Sequence, residues 1–312
     1  MLSTDIPALQ RPRPGDLYLD HVAHFVPDLD AAAAVLQALG FCLTPEFAQT
    51  TRAADGLPLP AGTRVCSAML AEGYFELIQP VADTDRTRRM RERMAGRAGI
   101  HLVSFGTPAA AGEYARLQRH GFAPLRLAHH ERPVPCASGD LTAGMLRARY
   151  QAVHVPHRVM PEGRIEYIEH DTPEVLWQER WVQGMNARCA LRLLLLRTCD
   201  IAATAGRWAH FSGALPEPAA NGARLRLARG QVLIRIADDA PPDAGANEEN
   251  AVIAACGLAL EAPQQLLDAL ERLNCAPFPL GPGVWRVALP EALGGCWLIG
   301  RRAALDCLYD AG

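Results

Sequence analysis

The sequence predicts an α+β protein built from four βαβββ modules that pair into two domains. Three observations carry this. The order apolar strand, helix, further strands recurs along the chain, and its first two copies share a proline just before the helix. A length of 312 residues suits two domains of ordinary size. A single four-stranded unit with one helix also exposes unpaired edges and a bare apolar face, so it needs a second unit to cover it.

The first module opens on Leu17 to Val26, an apolar run. Pro27-Asp28 supplies a break and an N-cap before LDAAAAVLQALG, whose alanines and leucines favour helix, and Gly40 is placed to end it. Strands follow in FCLTPEFAQT, TRVCSAML and YFELIQPV, the last two joined through the turn signal Ala71-Glu72-Gly73. The second module repeats the order. GIHLVSFGTP is its first strand, AAAGEYARLQRHG its helix and FAPLRLAHH the start of its next strand; after a longer excursion come LRARYQAVHVPH and RIEYIEHDTP. A third copy starts at ALRLLLLRTCD, with helix IAATAGRWAHFSG and strands ARLRLARG and QVLIRIADD. The fourth runs NAVIAACGLALE, helix APQQLLDALERLN, then GVWRVALP and CWLIGRR. DTDRTRRMRERMAGRAG joins copies one and two as a charged helix, and DDAPPDAGANEEN joins copies three and four as a loop. The expected division is a disordered lead-in over 1–16, an N-terminal pair of modules over 17–185 and a C-terminal pair over 186–312.

A formal charge of −3 provides no electrostatic case for nucleic acid or an anionic membrane. The run ALRLLLLRTCD is interrupted by Arg192 and Arg197 and is too short to span a bilayer. The first sixteen residues contain no apolar stretch of the kind a signal peptide needs. Nine scattered cysteines form no C-x-x-C pair, so reduced thiols in a cytoplasmic protein are expected. The partner class that remains is a small molecule, and a homodimer is compatible with it.

Each of the first two modules offers an imidazole and a carboxylate at comparable places. His21 lies six residues before Pro27 and His101 seven before Pro108, each in a first strand. Glu76 and Glu166 lie in the last strands, YFELIQP and RIEYIEH. Strand alternation puts His21 on the face of Ala23 and Phe25, and Glu76 on that of Tyr74 and Ile78. A buried glutamate is costly unless it is paired or binds a metal. Two histidines and two carboxylates converging between paired modules would hold a divalent ion and leave room for substrate. Each residue alone has an ordinary explanation, a hydrogen-bonded core histidine or a buried ion pair; repetition is what favours a site. His170 shares strand parity with Glu166 and could replace it as a ligand. His24 has the opposite parity to His21 and is expected to pack under the helix. His154 and His157 are expected in core or solvated roles, and His129-His130 in a loop.

LDHVAHFVPDLDAAAAVLQALGF resembles the opening of vicinal oxygen chelate modules, the superfamily of glyoxalases and extradiol dioxygenases. IEYIEHDTPEVLW is similar to the segment that closes the second module in the glyoxalase-like-domain branch. The resemblance covers Leu17 to about Trp181 and implies paired modules that wrap a U-shaped mixed sheet around a divalent metal. It matches His21, Glu76, His101 and Glu166 to the four ligands of glyoxalase-type members. The third and fourth copies have Leu193 and the alanines around Ala254 near the corresponding places, so the C-terminal pair is expected to be metal-free and to serve packing or pocket closure.

The activity expected from these readings is that of a lyase or isomerase. The metal (zinc, nickel, manganese or iron) binds vicinal oxygens of a small substrate and stabilises an enediolate, and Glu76 or Glu166 carries the proton. The arginine-rich segment Arg86 to Arg97 could hold an anionic tail or be a solvated helix face. Two alternatives stand beside this. One is a ring-cleaving dioxygenase using His21, His101 and Glu166, against which Glu76 counts as a fourth ligand. The other is a non-catalytic protein that binds or sequesters a small molecule.

Overall fold

The computed structural model describes residues 6–52, 58–135, 145–236 and 251–310. A short helix, α1 (Ile6–Leu9), precedes the first module, which comprises β1 (Tyr18–Phe25), α2 (Leu29–Ala38), β2 (Phe47–Arg52), β3 (Pro58–Met69) and β4 (Tyr74–Pro80). Helix α3 (Asp85–Met94) leads to β5 (Gly99–Gly106), α4 (Ala110–Arg119), β6 (Ala128–Pro135), β7 (Met145–His154) and β8 (Arg164–His170). After α5 (Pro173–Leu176) come β9 (Cys189–Thr198), α6 (Ile201–Ser212), β10 (Pro216–Ala219), β11 (Gly222–Arg226) and β12 (Gln231–Ile236). The last module is β13 (Val252–Leu260), α7 (Gln264–Arg272), β14 (Phe278–Gly281), β15 (Val284–Ala288) and β16 (Cys296–Gly300), followed by α8 (Arg302–Asp306).

Local chemistry sets the helix boundaries. The Asp28 carboxylate accepts from the backbone N–H groups of Asp30 and Ala31, capping α2. Thr84 and Thr87 cap α3 reciprocally, each side chain bonded to the other's backbone N–H.

The modules form two curled eight-stranded mixed sheets with one topology, β2-β3-β4-β1-β5-β8-β7-β6 and β10-β11-β12-β9-β13-β16-β15-β14. In each sheet the two modules meet through antiparallel first strands, β1 with β5 and β9 with β13, and each first strand runs parallel to the last strand of its own module. Two strands went unread in the sequence: β10 (PEPA) and β14 (FPLG), which edge the second sheet. Both are four residues long and contain proline, which weakens the strand signal and is tolerated at an edge, where a missing N–H costs no ladder bond.

The lead-in also differs from expectation. Residues 6–9 are helical, and Gln10 is buried: its Nε2 donates to the Ala71 carbonyl at 2.8 Å and its Oε1 accepts from Gly73 N at 3.1 Å and Arg229 Nη1 at 2.8 Å. A polar side chain that meets three backbone and side-chain partners anchors a segment whose composition has no core of its own. The connection 238–250 and Cys136 lie outside the described residues; the eight cysteines within them are free thiols. Among the described residues no helix is long and apolar enough to cross a membrane.

One apolar core crosses both halves. Phe75 of β4 stacks on Trp297 of β16 at 5.1 Å, and Trp208 of α6 packs on Phe105 of β5. A buried indole removes roughly 200 Å² from water, on the order of 5 kcal/mol at about 25 cal/mol/Å². His24 lies in this seam, not under the helix, with Nδ1 3.0 Å from the Leu293 carbonyl. The concave face of the second sheet is filled. Leu193, Leu233, Ala255 and Leu298 form one cluster with Leu305 and Leu308, and α8 packs on β9, β13 and β16.

Candidate active site

The concave face of the first sheet remains open around a cavity of about 280 Å³. His21, Glu76, Glu166 and His170 all line it. Register explains why. His21 pairs with Tyr74 and Ser104, and Ser104 pairs with Glu166, so His21 and Glu166 occupy one cross-strand row. Ala23 pairs with Glu76 and Leu102, and Leu102 with Arg164, which forms the next row.

His101 is not brought to this cavity. It lines a second cavity, of about 340 Å³, with Arg93, His157 and Glu162, and its ring stacks on Phe25 at 5.4 Å. The physical reason is a β-bulge. Ala23 pairs with Leu102 and His24 with Ile100, leaving His101 as the extra residue of β5. The difference between six and seven residues before the proline is this one-residue slip, and a slip of one turns a strand side chain to the other face. Leu102 takes the place in module two that His21 holds in module one, and it faces the first cavity. The expected meeting of four donors therefore brings together three.

A matching bulge in β1 creates a partner the sequence reading missed. Leu19 pairs with Phe105 and His21 with Ser104, so Asp20 is the extra residue there. The bulge turns its carboxylate toward its neighbour's ring. Asp20 Oδ1 accepts from His21 Nδ1 at 2.8 Å and lies 3.2 Å from His170 Nε2, fully buried. Burial alone would raise the Asp20 carboxyl, but the charges and hydrogen bonds of His170 and His21 outweigh it and hold it well below the carboxylate range. Burial likewise opposes a charged His21, yet the Asp20 bond and the charges of Asp20, Glu76 and Glu166 raise it above the ordinary 6.5. The Asp20 bond holds His21 Nδ1 and leaves Nε2 for the cavity. The available signal was a charged residue inside the apolar run LDHVAHF.

The two glutamates differ. Glu166 Oε2 accepts from Arg164 Nε at 2.9 Å and lies 2.7 Å from His154 Nδ1; burial is outweighed by Arg164 and His154, and its carboxyl stays ionised. Glu76 makes no side-chain hydrogen bond to a described residue, and burial raises its carboxyl above the usual range despite the nearby charges of His21 and Arg132. His154 therefore belongs to the site. So does His130, which lies on β6, not in a loop, and stacks on Tyr150 at 5.0 Å. Arg86, Arg132 and Arg164 complete the wall. On α3, Arg86 lines the cavity while Arg88 faces solvent beside Asp83 and Asp85.

Members of the superfamily commonly use a divalent metal. The donors here do not complete such a centre. Leu102 fills one ligand position, Glu166 is bound by His154 and Arg164, and guanidinium groups share the cavity. Among the described residues no group of three or more His, Cys, Asp or Glu side chains is arranged to hold a metal ion.

Comparison with known proteins places this geometry. A family model described as a glyoxalase-like domain matches residues 19–212. A hypothetical protein from Staphylococcus aureus has a similar structure, with a TM-score of 0.61 at 10% identity, covering 91% of this chain and 99% of that one. A triple mutant of 4-hydroxymandelate synthase from Streptomyces coelicolor superposes with a TM-score of 0.55 at 13% identity, covering 96% of this chain and 98% of the synthase. At such identities the likeness is one of fold. No curated protein sequence matches the chain. The family match covers more than half of the sequence and the duplicated sheets share its architecture: the chain belongs to the glyoxalase-like-domain family of the vicinal oxygen chelate superfamily.

Proposed function

We propose that the protein is an enzyme of lyase or isomerase type that moves a proton on a small molecule bound in the N-terminal cavity. Glu76 is the base and His21 the acid. The observation that carries this is their meeting in one cavity: a carboxylate with no hydrogen-bonding partner among the described residues beside an imidazole whose Nδ1 is held by a buried aspartate. Groups with opposed roles and environments that open onto one pocket are the arrangement that acid–base chemistry needs.

The step balances without a further reactant. Glu76 takes a proton from carbon beside a carbonyl, and the C–H electron pair forms a carbon–carbon double bond as the C=O pair moves onto oxygen. His21 Nε2 donates its proton to that oxygen. Where the deprotonated carbon bears a hydroxyl, Glu76 returns its proton to the former carbonyl carbon while that hydroxyl's proton passes to His21 Nε2 and its oxygen becomes the new carbonyl, which isomerises the substrate. Where the next carbon carries a leaving group, the group departs with its electron pair as the enol proton returns to His21 and the C=O re-forms, which makes the reaction an elimination. Asp20 stabilises the imidazolium and holds the ring's orientation, and His170 holds Asp20. The volume lies just below the roughly 300–1,000 Å³ typical of ligand pockets, which suits a small substrate. The ring-cleaving alternative required His101 in this cavity and has no support from its position.

The test is solvent exchange. Small 2-oxo and 2-hydroxy acids and their esters, incubated with the protein in D₂O, should lose the proton signal at the acidic carbon. Glu76→Gln should abolish the exchange. No exchange with any compound, while compounds still bind, would leave the non-catalytic reading in its place.

A further inference from the structure

We infer that the molecule taken by this cavity is an organic monocarboxylate, its carboxylate held among Arg86, Arg132 and Arg164. The inference rests on the reading of the N-terminal cavity as the substrate site, and adds the substrate's class.

The argument starts from uncompensated charge. Guanidinium groups stay protonated in proteins, so each of these three brings a fixed positive charge to the cavity. Arg164 has its counter-ion in Glu166. Arg86 does not. Its Nη2 donates to the neutral Gln49 Oε1 at 2.6 Å, and its Nε is buried with no hydrogen-bond partner. Burial and the neighbouring Arg164 draw the guanidinium down to about 10, the direction expected of a cation lacking an anion. Arg132 lies over the Phe47 ring at 3.9 Å and makes no ion pair with a described residue. Two arginines that line the cavity thus have no carboxylate partner among the described residues. A buried charge left in that state is costly, and a bound anion removes the cost.

The rest of the cavity narrows the anion. Glu166 is held ionised on the same wall, and its charge disfavours a dianion such as phosphate. A planar carboxylate matches the guanidinium fork with two parallel bonds. Tyr74, Tyr150, Ile78 and Leu102 provide an apolar wall for the body that carries it. In this pose the carbon next to the bound end of the substrate falls within the cavity that Glu76 and His21 share.

Isothermal titration of the full chain with benzoate, benzamide and inorganic phosphate tests the inference. Benzoate should bind about tenfold or more tightly than benzamide, the neutral shape analogue, as expected for charge-assisted bonds. Phosphate should bind more weakly than benzoate. Arg86→Met should remove the preference for benzoate over benzamide. Arg132→Gln, at a half-buried position that disturbs packing less, should reduce it and keeps the test available if Arg86→Met does not fold. Equal binding of benzoate and benzamide, tighter binding of phosphate, no binding of any probe at millimolar concentration, or a preference unchanged in the folded variants would each overturn the inference. A carboxylate preference without solvent exchange refutes the catalytic reading alone. Exchange confined to neutral esters, without that preference, refutes this inference alone.

Discussion

Asp20 and His101 are equivalent residues: each is the extra residue of a β-bulge in the seam where β1 and β5 pair. Arg192 and Ala254 hold the same place between β9 and β13. The bulge is thus a property of the module, and what each copy places there differs. In the first copy the bulged residue is a carboxylate that fixes His21; in the second it is a histidine that faces another cavity.

This equivalence predicts which substitution would build the absent ligand. Leu102→His puts an imidazole where His21 has its counterpart, so the variant should bind zinc or nickel more tightly than the parent in a competition assay with a chromogenic chelator. His101→Ala should leave ligand binding in the first cavity unchanged. A Leu102→His protein with no gain in metal affinity would count against the assignment of equivalent positions.

Stability should carry the mark of the Asp20–His21 pair. A depressed carboxyl contributes stability that is present above its ordinary 3.8 and lost as pH falls through the folded value. A raised imidazole contributes stability that is present below its ordinary 6.5 and lost as pH rises through the folded value. The pair should therefore add most between 3.8 and 6.5. Asp20→Asn should cost on the order of 3 kcal/mol in that window and less outside it. Urea unfolding of both proteins across pH measures the difference, in which the shifts of Glu76 and His154 largely cancel.

Metal content offers an independent check. Protein purified without added metal should contain less than one equivalent by elemental analysis, and a chelator should leave its melting temperature unchanged. Stoichiometric metal that disappears in both His21→Ala and Glu76→Ala would show that the donors assemble after all.

Gly73 is predicted to be intolerant. Its φ of +77° is left-handed, and a Cβ there would lie 2.5 Å from the Asp20 carbonyl oxygen. Gly73→Ala should destabilise the protein by more than about 1 kcal/mol through backbone strain and the forced shift of β1. Thermal melting measures the loss, and the nuclear magnetic resonance signals of the His21 ring should move with it.

Much of the fold was legible in residues. The strand–helix–strand order with Pro27 and Pro108 before the helices, and the turn at Ala71-Glu72-Gly73, are local features that report local structure. The strands β10 and β14 were not legible, because a short proline-bearing edge strand owes its place to its neighbour and not to its own pattern. Gln10 was missed for a similar reason: its three partners come from β4's turn and the far half of the chain. Within the site, the faces of His21, Glu76 and Glu166 followed from alternation, since period two holds wherever a strand is regular.

What the sequence determined by itself is duplication and parity: repeated modules, apolar first strands, and polar residues aligned to one face. Only the tertiary structure decided which polar groups meet. His101 stands one place before the counterpart of His21, at the bulge that Asp20 occupies in the first module, so Leu102 and not His101 faces the cavity. The contacts of Asp20 with His170 and of Arg86 with the cavity join elements distant in the chain, and no local rule of spacing encodes them.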